Sequence, residues 1–195
     1  MSNRLARIVL GTLVGSIGVG IGLYFGRFVA AAAALPFAAS RQAIPLATGA
    51  AWWAFVGLIG GLGLAFAAVN RGRVLFVLVS IVGFALGGVI AALPEAGRVD
   101  RSAALSALAV PIGGGLAGLL IGLAARLKAR SALMLIAGVA ALAIAAPHID
   151  PRGSAIPRPI GSWQLSDWLA LLAPGAIIGG TLAALAPERE EPPLA

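Results

Sequence analysis

The sequence contains no cysteine. Disulfides, thiolate metal sites and cysteine nucleophiles are therefore excluded. Charge is scarce too: 11% of the residues are charged, against about 25% in an ordinary soluble domain. Histidine occurs once, at His148, and lysine once, at Lys128. Lys128 falls in a turn between apolar runs, which excludes a retinal Schiff base. A lone histidine in a polar stretch is a poor basis for holding haem or chlorophyll, so no cofactor is expected. His148 and Asp150 form a His-x-Asp pair, with Asp167 further along. A metal site needs three or four ligands, so a solvated loop is the favoured reading and no metal is expected. Phosphate-binding, dinucleotide, zinc-protease and Ser-His-Asp patterns are all missing. The hydroxyls inside the apolar runs, such as Thr12, Ser16, Ser80 and Thr181, have no base within reach in sequence. A catalytic role is not expected.

What is present is apolar. Of 195 residues, 60% are hydrophobic, and the mean hydropathy is +1.01. A soluble fold with this composition would lack the polar surface to cover itself, so the expected solvent is a lipid bilayer. A membrane-spanning helix needs about 20 mostly apolar residues. Six runs meet or approach that length, at about 8–26, 48–69, 74–93, 102–125, 131–146 and 166–186. The first exceeds the ~7–15 residues of a signal-peptide core and reads as a retained helix. The expected fold is an all-α polytopic membrane protein, one transmembrane domain over 1–186 with a polar tail at 187–195. Two stretches, 37–47 and 147–165, exceed simple turns and read as outer caps or re-entrant pieces.

The net charge of +7 comes from thirteen arginines and Lys128 against seven acids. No basic cluster is interleaved with aromatics, so nucleic acid is not an expected partner. The cations instead punctuate the ends of apolar runs. With the N-terminus inside, eight of them (Arg4, Arg7, Arg71, Arg73, Arg126, Lys128, Arg130 and Arg189) fall on the inner side and six on the outer. This bias favours both termini in the cytoplasm. Arginine-over-lysine usage and alanine richness suggest a prokaryotic cytoplasmic or internal membrane. Trp52, Trp53, Trp163 and Trp168 all fall at the outer level in a six-helix count. Trp prefers the headgroup region because its ring is apolar and its N–H polar, so the four read as one interfacial belt.

Glycine, 27 of 195 residues, is about twice as frequent as the usual ~7%. Gly11, Gly15, Gly18, Gly22 and Gly26 recur at helical spacing along one face of the first run. Such a face lets another backbone approach closely. It serves either packing within the bundle or a seam for a partner, and five glycines are more than one neighbour needs. Similar glycine-rich segments begin at Gly57, Gly114 and Gly175, about 60 residues apart. They suggest three repeated helical hairpins, although Gly, Ala and Leu dominate every membrane helix and composition alone can produce the likeness. Pro111 and Pro174 interrupt the fourth and sixth runs, beside Gly114 and Gly175. Interrupted helices at matching positions point to a solute site in transporters; an ordinary kink is the plainer reading.

Two functions are therefore expected to compete. The first is a non-enzymatic accessory or scaffold subunit of a larger membrane complex, with other membrane subunits or itself as partner. The second is a small solute transporter or channel, or its substrate-binding subunit, with a site near the interrupted helices four and six.

Overall fold

A computed structural model describes residues 2–40, 42–68, 72–97, 103–127, 130–145 and 164–186. These residues form six α-helices: α1 (Ser2–Ala34), α2 (Ala43–Ala68), α3 (Arg73–Ala92), α4 (Ala103–Ala124), α5 (Ser131–Ala145) and α6 (Leu165–Leu185). No strand occurs among them. Four helices, α1, α2, α3 and α6, are long and apolar enough to cross a membrane; the described apolar parts of α4 and α5 are shorter. The stretch 147–163, the tail 187–195, and with them His148, Asp150 and Trp163, lie outside the described residues.

Each helix packs on the next in the chain, and α6 packs back onto α1. The six therefore form a closed ring, each helix antiparallel to its neighbours. The inside of the ring is filled by Val19, Val56, Leu64, Phe76, Ile121, Met134, Ile178 and Leu182, all fully buried. The outer faces carry a different set. Leu13, Ile17 and Ile21 on α1, Val74, Leu78 and Val82 on α3, Leu133 and Ile136 on α5, and Leu169 on α6 are all exposed. Apolar surface this extensive is not sustained in water. It is the surface expected of helices solvated by lipid, and this chain is an integral membrane protein.

Two boundaries differ from those expected of the sequence. The first helix does not stop before Arg27 but continues to Ala34. At ~1.5 Å per residue its 33 residues run about 50 Å. Arg27 is accommodated where it stands: its Nε donates to the Tyr24 carbonyl at 3.0 Å, and its guanidinium lies 5.0 Å from the Tyr24 ring centroid. The alanine run after it is the best helix-forming sequence available. Leu35–Phe37 then tightens into a 3-10 turn containing Pro36. The second helix starts at Ala43 rather than near residue 48, which leaves no long outer loop at 37–47. Pro45 falls in its first turn, where a missing N–H costs nothing, and the Ser40 Oγ accepts from the Ala43 N–H at 3.2 Å.

Close backbone approach at glycine joins most of the ring. A methyl group added at Gly87 on α3 would sit 2.6 Å from the Gly113 carbonyl oxygen on α4, whereas one added at Gly83 would only touch the Leu120 side chain at 3.4 Å. Three seams share a common pattern. Gly57 abuts the Ser80 carbonyl, Gly114 abuts the Gly138 carbonyl and Gly175 abuts the Gly15 carbonyl. One turn further along, Gly118 abuts the Met134 carbonyl and Gly179 abuts the Gly11 carbonyl, whereas Gly61 is covered by the Ser80 side chain. The third of these seams, α6 on α1, joins the two ends of the chain. It is reinforced where Arg4 reaches the Ala184 carbonyl at 3.4 Å, in the last turn of α6.

Two alanine substitutions four residues apart on α3 separate the seam from mere helix propensity. Gly87→Ala is expected to destabilise by about 1–3 kcal/mol, because the Gly113 backbone must move to admit the methyl. Gly83→Ala is expected to be neutral or to stabilise by up to ~1 kcal/mol, since alanine is the better helix former. Melting temperatures of both variants in one detergent check this; equal shifts would exclude the backbone contact as the cause.

Candidate functional site

Among the described residues a recess lies between α2, α3, α4 and α5. It is lined by Trp53 of α2, Phe84, Gly87 and Ala91 of α3, Val110, Gly113 and Gly114 of α4, and Leu142 of α5. Its volume is only about 10 Å³, close to the space one water needs.

Trp53 forms one wall. Its ring stacks on Phe84 at 6.2 Å between centroids, with an interplanar angle of 6°, and it lies across Gly88, whose missing side chain makes the space. The opposite wall is α4 around Pro111. Proline has no N–H, so the Ala107 carbonyl one turn earlier loses its helical donor. Gly113 and Gly114 follow and bring α4 against the backbones of α3 and α5 respectively. The glycines narrow the recess rather than widen it, because each is filled by a neighbouring carbonyl.

No polar side chain lines this recess. Ser80, fully buried nearby on α3, gives its hydroxyl to the Phe76 carbonyl of its own helix at 2.9 Å. Asp167 is occupied at the start of α6, where its carboxylate accepts from the Gln164 N–H at 2.9 Å in a capping box. No group of three His, Asp or Glu side chains able to hold a metal occurs among the described residues. Catalysis needs an acid, a base or a nucleophile beside the reacting atom, and this recess supplies none.

The residues singled out in the sequence are distributed as follows. Pro111 and Gly114 stand beside the recess. Pro174 and Gly175 do not: Pro174 is buried in α6, Gly175 is pressed on α1, and α4 and α6 are not packed together. Of the two interrupted helices, only α4 lines this recess. The five glycines of α1 divide between two neighbours. Gly11 and Gly15 abut α6; Gly18, Gly22 and Gly26 abut Gly60, Val56 and Trp52 of α2. Every one is occupied within the bundle.

The aromatic belt needs a correction at Trp53. It is only 5% exposed and stacks on Phe84 inside the bundle. Trp52 is half-buried and donates its indole N–H to the Leu23 carbonyl of α1 at 3.1 Å. Trp168 is 37% exposed. Spacing from a span end sets the depth of a tryptophan, whereas its helix face is set by the neighbour it packs on, here Phe84 and Gly88. Phe84 carries no signal in the sequence, because a phenylalanine within a long apolar run does not show which face it takes.

Comparison with protein-family models, curated proteins and solved structures finds no match to this chain.

The inward orientation of Trp53 has an optical consequence. In a variant keeping only Trp53, brominated lipid should quench fluorescence much less than in one keeping only Trp168. Equal quenching would place Trp53 on the lipid-facing side.

Proposed function

We propose that this protein is a non-enzymatic accessory or scaffold subunit of a larger membrane protein complex. The observation that carries this reading is the closed interior. Glycine seams bring the backbones together, large side chains fill the centre, and the recess beside Trp53 has room for about one water. An interior of this kind supports a packing element more than a solute pathway. The outer faces of α1, α3, α5 and α6, rich in exposed Leu, Ile and Val, offer surface for neighbouring subunits as well as for lipid.

In this proposal all six helices span the bilayer and both termini lie in the cytoplasm of a prokaryotic cell. The chain comprises three repeated helical hairpins, α1–α2, α3–α4 and α5–α6. The common pattern of the α2–α3, α4–α5 and α6–α1 seams supports the repeat, because each joins one hairpin to the next and the last closes the cycle.

A second reading, a small transporter or its substrate-binding subunit, draws on one observation: the recess lies beside the proline-interrupted stretch of α4. It requires the α3–α4 glycine contact to open.

Gentle detergent extraction from native membranes, followed by size separation and identification of co-eluting polypeptides, tests the proposal. The expected result is elution with larger membrane polypeptides in fixed ratio. Elution alone, or as a small homo-oligomer, overturns the subunit reading and leaves the α4 recess as the place to look for a solute.

A further inference from the structure

The two ends of the bundle are charged differently. Among the described residues, Arg4 and Arg7 at the start of α1, Arg73 at the start of α3, Arg126 just past α4 and Arg130 just before α5 all lie at one end. The described acids, Glu95 after α3 and Asp167 at the start of α6, lie at the other, toward which Arg27 of α1 also lies.

Three of the arginines form a corner. On the antiparallel α3–α4 pair, Gly87 meets Gly113 and Gly83 meets Ala117. Continued toward the helix ends, that register sets Arg73 level with residues 126 and 127. Arg130 follows one short turn later, where Gly122 of α4 meets Ser131 of α5. Arg73, Arg126 and Arg130 are all exposed. Arg73 also lies over the Phe66 ring at 5.2 Å, which holds it near the end of α2. The apolar outer face of α3 begins at the next residues, Val74 and Leu75. The corner thus stands at the boundary between an apolar surface and a polar one.

Local backbone physics argues against arginine at these positions. The N-terminus of a helix carries the positive end of its dipole and favours acids. Yet neither α3 nor α5 has an acid in its first turn, α3 begins on Arg73, and its N-cap Gly72 provides no side-chain cap. Arg126 has φ 59°, a left-handed conformation that glycine adopts freely and arginine does not. It occupies the position after α4 where such turns usually carry glycine: the Arg126 N–H reaches the Leu123 carbonyl at 2.9 Å and the Leu127 N–H the Gly122 carbonyl at 3.0 Å. Positive charge is retained at two helix starts that do not favour it, at Arg73 and Arg130, and at Arg126 in a left-handed turn that disfavours arginine by its backbone conformation. An external anion at this corner would offset both the like charges and the exposed helix N–H groups.

We propose that Arg73, Arg126 and Arg130 form a binding site for the phosphate headgroups of anionic phospholipids. Guanidinium groups engage phosphate oxygens in paired hydrogen bonds, and the acyl chains of such a lipid would lie along the exposed Val74, Leu78 and Val82 of α3. The inference does not depend on the subunit reading above; it requires only a bundle in a bilayer.

The test uses the full chain in mixed bilayers of phosphatidylcholine and phosphatidylglycerol, with retained lipids counted by native mass spectrometry. Phosphatidylglycerol is expected to be retained in preference. Arg73→Gln and Arg130→Gln should each lower that preference about fivefold, as expected for one arginine beside an anionic surface. Arg126→Gly keeps the proposal testable whatever the folding of the others, because glycine suits the left-handed turn. It should melt higher than the native chain in pure phosphatidylcholine and still lose about fivefold in phosphatidylglycerol preference, whereas Arg126→Lys should keep most of it. Unchanged preference in all three charge-removing variants overturns the site. So does equal stabilisation by inorganic phosphate in neutral micelles, which would make the ligand a soluble anion instead of a lipid.

Discussion

The fold depends on how closely two helix backbones can approach. In lipid, helices gain nothing from hiding apolar side chains from one another, because the solvent is equally apolar. What remains is dispersion, which needs atoms in contact, and weak Cα–H···O bonds, which need a carbonyl within reach of a neighbouring Cα. Both call for helices without side chains at the seam. Gly15 against Gly175, Gly87 against Gly113 and Gly114 against Gly138 supply them, each pair reciprocal in that a methyl on either partner would meet the other's carbonyl. The rest of the architecture follows from this. Small residues occupy the seams, while large apolar side chains both fill the centre of the ring, as Leu64, Phe76 and Ile121 do, and cover its outer faces, as Leu13, Val74 and Ile136 do.

The helices themselves were legible in the sequence, because a long apolar run has few alternatives and its charged ends mark where it stops. Arg27 shows the limit of that rule. It resembles a terminator, but it sits beside Tyr24, whose carbonyl and ring satisfy it within the helix, and Ala30–Ala34 carries the helix on. Pro45 misled in the same way: it suggested a loop, and the structure places it in a first turn where proline is harmless.

Less legible was the allocation of faces. The glycine spacing on α1 established that a close neighbour exists but not how many. One stripe turned out to serve two helices, α6 at the end that carries Gly11 and Gly15 and α2 from Gly18 onward. The tryptophans present the same difficulty. Counting spans assigns Trp53 a depth, and only the presence of Phe84 and Gly88 on α3 turns it inward. The prolines at 111 and 174 match in sequence but stand on α4 and α6, which are not adjacent in the ring. Periodicity reports on one helix at a time, and a site is a property of at least two.

The seams are not uniform around the ring. Glycine contacts join α1 to α2, α2 to α3, α3 to α4, α4 to α5 and α6 to α1. None is found between α5 and α6 among the described residues, and that pair has the slightest contact of the six. Gly138, the glycine of α5 at mid-length, is committed to α4, and Gly175 and Gly179 of α6 are committed to α1. The third hairpin is thus held by its outer neighbours more firmly than by its own two helices. Separating a backbone-contact seam forfeits several carbonyl contacts at once, whereas separating side-chain packing can proceed gradually as rotamers adjust. The α5–α6 pair thus lies across the bundle from the tightly interlocked α2–α3 pair and is the one neighbouring pair held by side-chain packing alone among the described residues.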